Sequence, residues 1–303
     1  MERRIDTPLV QYLILGLLAL TWGSSFILMK RGLESFSSFQ VAEYRLFIAF
    51  VALLPIAIRN LPKFPKTGKQ RIGIVVVGLA GNFFPAFLFA EAQTRLPSGI
   101  TGMLNSMVPL FTLILGVLAF GASTNRRQVL GVFIGLIGAI TLISFSHDGT
   151  HVDVPLIYPL YIVAATLCYA TSVNIIKAFL QEVNAIHITA FAFLVIGPIA
   201  GLGLLTGDFW SEAFRTSANL INLGYITILG VVGTAAALLL FNQLIKATTA
   251  IFASTVTYLI PIVAMSWGIL DGETVTLMHA GGMGLILFGV YLINRKKKQA
   301  VNR

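Results

Sequence analysis

Trp22, Ser25, Asn82, Asn105, Tyr169, Asn174, Asn242 and Tyr258 stand inside long apolar runs, where hydroxyls, amides and indoles are out of place. Each such group must face a partner or a cavity, because burying it unpaired in an apolar medium is costly. The chemistry on offer is hydrogen-bonded recognition of a small solute, and these eight are the candidate substrate-binding residues. Two ionisable groups join them. Glu43 and Arg45, two positions apart, cannot pair on one helix face, and a charge at mid-helix costs roughly 2.5–3.5 kcal/mol on insertion scales. They lie nearer one edge than the centre and form the candidate coupling pair. Glu43 is the group that could exchange a proton with water in one state and be sealed from it in another.

Only an apolar scaffold can position these side chains. Of 303 residues 56% are hydrophobic and 11% charged, against about a quarter charged in an ordinary soluble domain. Lipid must therefore be the solvent for most of the surface. A helix needs roughly 20 apolar residues to cross the hydrocarbon core, and ten runs qualify: 9–29, 38–58, 72–91, 97–119, 128–146, 155–176, 186–206, 218–240, 247–269 and 276–293. Backbone in lipid must satisfy its own hydrogen bonds, which makes these runs helices. The period-two alternation of a membrane β-barrel is absent from the sequence. The first run continues past Ala19 without a small-x-small cleavage site and reads as a retained span.

The formal charge of +9 does not point to nucleic acid, since the basic residues sit in short loops and at the ends. With the N-terminus cytoplasmic, the inner segments hold 16 Lys and Arg and the outer ones four. That bias predicts cytoplasmic N- and C-termini in a multi-pass protein of the inner membrane. The single cysteine, Cys168, excludes an internal disulfide.

The chain also repeats itself. ALTWGSSFILMK, from Ala19, aligns with TLCYATSVNIIK, from Thr166, so that Trp22 meets Tyr169, Ser25 meets Ser172 and Lys30 meets Lys177. Pro109 and Pro261 open matching segments, and Gly131 and Gly138 answer Gly282 and Gly289; the register offsets are 147, 152 and 151. Two units of five helices, 9–146 and 155–294, must lie upside down to one another because five is odd. Inverted repeats of this kind place a substrate site near the bilayer midplane. The predicted fold is therefore all-α and integral to the membrane: ten transmembrane helices as two inverted five-helix repeats.

WGSSF in the first span, EYRLFIAF in the second, EAQTRLPSGITGMLNSMVPLFT across the third and fourth, and YLIPIVAMSWGILDGE near the end resemble the EamA-like family of the drug/metabolite transporter superfamily. The resemblance covers essentially the whole chain. It implies a ten-helix exporter or permease of a small metabolite, amino acid, nucleoside or drug, working as monomer or homodimer and without a cofactor. Members often carry Gly-Glu after both the fourth and ninth helices. Here Gly272-Glu273 has Gly121-Ala122 as its counterpart.

Plainer roles compete for these residues. Trp22 lies about 10 Å from its span end at 1.5 Å per residue, too deep for an interfacial belt. Ser24, Ser25, Thr171 and Ser172 suit close helix packing. Asn105 and Tyr258 each lie about one turn before a proline that frees a carbonyl. Glu91 and Arg95 have the spacing of a helical ion pair, and Lys30 and Lys177 read as snorkelling anchors. The glycines 131, 135, 138, 282 and 289 form packing faces, open to a second subunit. HDGTHVD, from His147 to Asp153, is the one candidate metal stretch and the only one that would suit a membrane enzyme. GxxxxGK[ST] is missing, so ATP is not used directly. The expectation is a secondary transporter and not an enzyme, with a lipid flippase on the same scaffold as its nearest rival.

Overall fold

The computed structural model describes residues 7–145, 154–247 and 256–294, with the side chains of Asn242, Ile245, Lys246, Ala247 and Asn294 outside the described set. The HDGTHVD stretch lies outside these residues. All regular structure among them is helical. In order the helices are α1 (Pro8–Leu33), α2 (Ser38–Arg59), α3 (Gly68–Gly78), α4 (Phe84–Gln93), α5 (Ser98–Asn105), α6 (Val108–Phe120), α7 (Arg126–Ser144), α8 (Ile157–Phe179), α9 (Ala185–Thr206), α10 (Phe209–Ala213), α11 (Ser217–Gly230), α12 (Ala237–Ala247), α13 (Val256–Leu270) and α14 (Leu277–Asn294).

Eight segments are long and apolar enough to cross a membrane. Helices α13 and α14 are apolar but shorter, and they occupy the region of the expected ninth and tenth spans. Two crossings bend through π turns. Leu79–Phe83 joins α3 to α4, and Val231–Ala236 joins α11 to α12. These turns start 152 positions apart, within the register of the sequence repeat.

Helix starts follow local chemistry at matching places. Ser37 and Gln40 form a capping box at α2, and Asn184 caps α9. Thr67 caps α3 and Thr216 caps α11, while Asn125 caps α7 and Thr276 accepts the His279 amide at α14. Each side-chain oxygen satisfies an amide that the first turn leaves without a partner. The fourth crossing breaks between Asn105 and Val108, where Pro109, four residues after Asn105, has no N–H to offer the Asn105 carbonyl. Helix α13, by contrast, continues past Pro261 without a break.

Helix α2 packs on α9, and α7 on α14. Gly197 and Gly201 of α9 lie against Phe50 and Phe47 of α2. The glycines of α7 meet those of α14: a Cβ on Gly131 would stand 2.6 Å from the Gly289 carbonyl, and one on Gly138 2.6 Å from that of Gly282. The glycine face is thus occupied within the chain rather than left for a second subunit. Large apolar side chains such as Leu17, Phe133, Ile140 and Leu202 point outward, as lipid solvation requires.

Candidate functional site

At the centre, where α2, α4, α8 and the two π turns converge, lies a cavity of about 20 Å³, room for a water molecule. Arg45, Leu46, Asn82, Ala86, Tyr169 and Thr234 line it. Arg45 donates from Nε to Thr234 Oγ1 at 3.1 Å. The Thr234 hydroxyl in turn donates to the Leu229 carbonyl, five residues back, at 3.1 Å. Asn82, in the other π turn, donates from Nδ2 to the Val77 carbonyl, also five residues back, at 3.3 Å. Each π turn therefore directs one polar side chain toward the cavity while tethering it to its own helix. Tyr169 continues into an aromatic wall, 5.9 Å between ring centres to Phe89 and 6.0 Å from there to Phe26.

Arg45, Asn82 and Tyr169 are thus brought together. The other candidates take different places. Trp22 donates its indole N–H to the Gly233 carbonyl at 3.1 Å and packs edge-on against Phe241, so it braces the second π turn from outside the cavity. Ser25 donates to the Thr21 carbonyl on its own helix. Asn174 straps α8 to α6 through the Thr112 carbonyl at 3.0 Å, and also bonds Ala170. Asn105 Oδ1 is buried at the helix break without a hydrogen-bond partner, as is Ser106 Oγ. Tyr258 is half-buried against the main core, and the Asn242 side chain is outside the described set. Glu43 points away from Arg45, against Gly203 of α9.

A second polar cluster closes one end of the bundle. Glu273 Oε1 accepts from Lys30 Nζ, the Ser98 amide and the Ser98 hydroxyl, each at 2.8 Å, and Oε2 accepts from the Gly99 amide at 2.9 Å. A carboxylate there satisfies the orphan amides of α5 and complements its helix dipole. Lys30 also pairs with Asp271 at 2.6 Å, and Arg31 with the other Asp271 oxygen. Gly272, at φ 82°, makes the left-handed turn that lets Asp271 and Glu273 both face this cluster. Lys30 is therefore no snorkelling anchor; it joins α1 to the α13–α14 connection. Glu91 likewise accepts the Ser38 hydroxyl at 2.6 Å and makes no ion pair with Arg95.

The sequence matches the EamA-like transporter family over residues 10–144 and again over 156–295. The chain belongs to that family. Relatives of this EamA-like protein include an uncharacterized transporter of Archaeoglobus fulgidus, 26% identical, with 95% of this chain and 99% of the relative covered. A probable amino-acid metabolite efflux pump of Salmonella typhimurium is 27% identical over 91% of this chain and 92% of its own. The uncharacterized inner membrane transporter YedA of Escherichia coli (strain K12) is 25% identical over 92% and 89%. One crystal structure shares the fold with a TM-score of 0.58 at 16% identity, covering 94% of this chain and 96% of that one. The EamA-like chain is thus a multi-pass membrane protein of a transporter family. Among the described residues no group of His, Cys, Asp and Glu is arranged to hold a metal ion.

Reading the EamA-like sequence alone missed Thr234 and the Lys30–Glu273 cluster. A signal for Thr234 was present: Gly81-Asn82 and Gly233-Thr234 lie 152 positions apart, the Pro109–Pro261 offset. No sequence cue pairs Lys30 with residues 241 and 243 positions away.

Proposed function

We propose that this EamA-like protein is a secondary transporter that exports a small organic metabolite by alternating access to the Arg45 cavity. The observation that carries this reading is the cavity's place between two π turns at matched positions, since π turns in membrane helices are frequent at functional sites. Two inverted five-helix repeats, 9–146 and 155–294, account for the matched caps, the matched turns and the packing of α2 on α9 and α7 on α14. Such halves can exchange conformations about a fixed central site. The Lys30–Glu273 cluster serves as the outer closure, with the N- and C-termini cytoplasmic in the inner membrane, the location named for the Escherichia coli relative. The Salmonella relative's name favours an amino acid or a derivative as the solute. Because the glycine seam is spent inside the chain, the monomer is the working unit. Glu43 is the proton-coupling group.

Purified protein in liposomes tests this directly. Time-dependent counterflow of at least one member of a panel of amino acids, nucleosides and cationic drugs is expected, and a panel-wide absence would defeat the reading. Single cysteines at Lys66 and Arg95, both exposed, in a Cys168→Ala background test the orientation. Only the Arg95 site should react with an impermeant maleimide in intact cells.

A further inference from the structure

Among the described residues, the cation that lines the cavity has no protein counter-charge. Among the described residues every ion pair lies at the Lys30 end or between Arg215 and Glu212, and none involves Arg45. Glu43, the nearest carboxyl in sequence, lies against Gly203 on another face of α2, and Glu91 is held by Ser38. Thr234 occupies only Nε of the guanidinium. The Nη1/Nη2 edge is left without a protein acceptor among the described residues, on a side chain that lines the cavity.

We infer that this edge binds the carboxylate of the transported solute, an inference that rests on the cavity being the solute site. Three features select that group. A guanidinium edge offers two parallel N–H donors, spaced to meet both oxygens of a planar carboxylate. Arg45 is the single ionised side chain lining the cavity, so one negative charge restores neutrality there while a phosphate dianion would leave an excess. The Tyr169 phenol lines the same space and supplies a neutral donor to the bound oxygen. Thr234 acts as a positioning residue: by holding Nε it turns the free edge toward the cavity. The same charge opposes entry of cationic drugs, because it would face them unscreened in low dielectric.

Matched probe pairs in detergent solution test the inference on the intact protein. L-leucine and 4-methylpentanoate are compared with leucinol and 4-methylpentanol, L-phenylalanine with phenylalaninol, and inorganic phosphate is added as a further anion. Binding is read from the shift of the thermal unfolding midpoint. At least one acid should raise the midpoint of wild type while its alcohol does not. Arg45→Met should weaken that acid on the order of a hundredfold. Arg45→Lys keeps the charge and should weaken it less, having lost the paired donors. The inference is overturned if alcohols match acids, if phosphate outperforms every acid, if no acid moves the midpoint, or if Arg45→Lys and Arg45→Met both bind the acid as wild type does. Should Arg45→Met not fold, the wild-type pairs and Arg45→Lys still decide. Acid-selective binding without flux in liposomes would sink transport and leave the carboxylate site standing. Flux of a neutral or cationic solute unchanged by Arg45→Lys would do the reverse.

Discussion

Lys30 and Lys177 hold the same place in two matched helices, yet they live differently. Lys30 is partly buried and bridges Asp271 and Glu273. Lys177 is exposed and makes no ion pair among the described residues. The cause lies at another matched pair. Gly121 and Gly272 both adopt the left-handed conformation, φ 64° and 82°, but the residue that follows reaches back differently: the Ala122 amide to the Gly116 carbonyl and the Glu273 amide to that of Gly268. In one case that residue is Glu273, buried among four donors; in the other it is Ala122, exposed. A shared left-handed glycine therefore does not give matched roles. A single carboxylate decides which end of the bundle is tied together.

Removing that carboxylate should have the largest effect. Glu273→Ala leaves the Ser98 and Gly99 amides and Lys30 without their acceptor, and breaking such a buried pair costs about 3–5 kcal/mol. Thermal unfolding in detergent should show a clear drop in midpoint, with Glu273→Gln falling less; an unchanged midpoint would mean that the closure contributes nothing.

Trp22 and Tyr169 make the same contrast near the centre. Trp22→Ala loses the bond to Gly233 and the packing on Phe241, a loss of about 3–5 kcal/mol for a packed Trp, lowered where the indole is only half-buried. Tyr169→Phe should leave the unfolding midpoint within about 1 kcal/mol of wild type, the scale of one hydrogen bond, and weaken solute binding. If both variants instead changed binding alone, the two rings would be equivalent after all.

Installing the missing group tests the comparison from the other side. Ala122→Glu should stabilise the opposite end through Lys177 by no more than about 1 kcal/mol, because the pair is exposed. Lys177→Gln added to it should cancel the gain, and solute flux should slow while the gain persists. The smallest change in stability is expected for Glu43→Gln, which keeps size and shape. There the readout is function: pH-driven accumulation should vanish while exchange at equal pH survives. Loss of both activities together would remove Glu43 from the coupling role.

The broad plan was legible because its causes are local or additive. Apolar length marks a crossing, and each of the eight long apolar segments falls on one of the expected runs. Register offsets between Trp22 and Tyr169, or between the glycines of α7 and α14, are visible by alignment alone. The site was legible only in part. Arg45, Asn82 and Tyr169 stand out as polar groups in apolar runs, but so do Trp22 and Asn174, and only packing shows that these two lie off the cavity and tie their helices to other segments through Gly233 and Thr112. Thr234 is unremarkable by type and matters because a π turn aims it. Lys30 looked like an anchor because the acids it meets come from the far end of the chain.

That aiming has a cost in phase. A helix turns about 100° per residue, so the one extra residue in each π turn sets everything beyond it out of step with what came before. Phe84–Gln93 and Ala237–Ala247 therefore present faces that no single helical period, drawn across the whole crossing, would assign to them. Deleting one residue from Leu79–Phe83 would restore the ordinary winding and swing the next ten residues round together. Glu91 would leave Ser38, and Gln93 would leave the Phe26 carbonyl that it now holds at 3.0 Å. A lesion of one amino acid at the middle of the membrane would thus be felt at its edge, carried there by a rigid rotation.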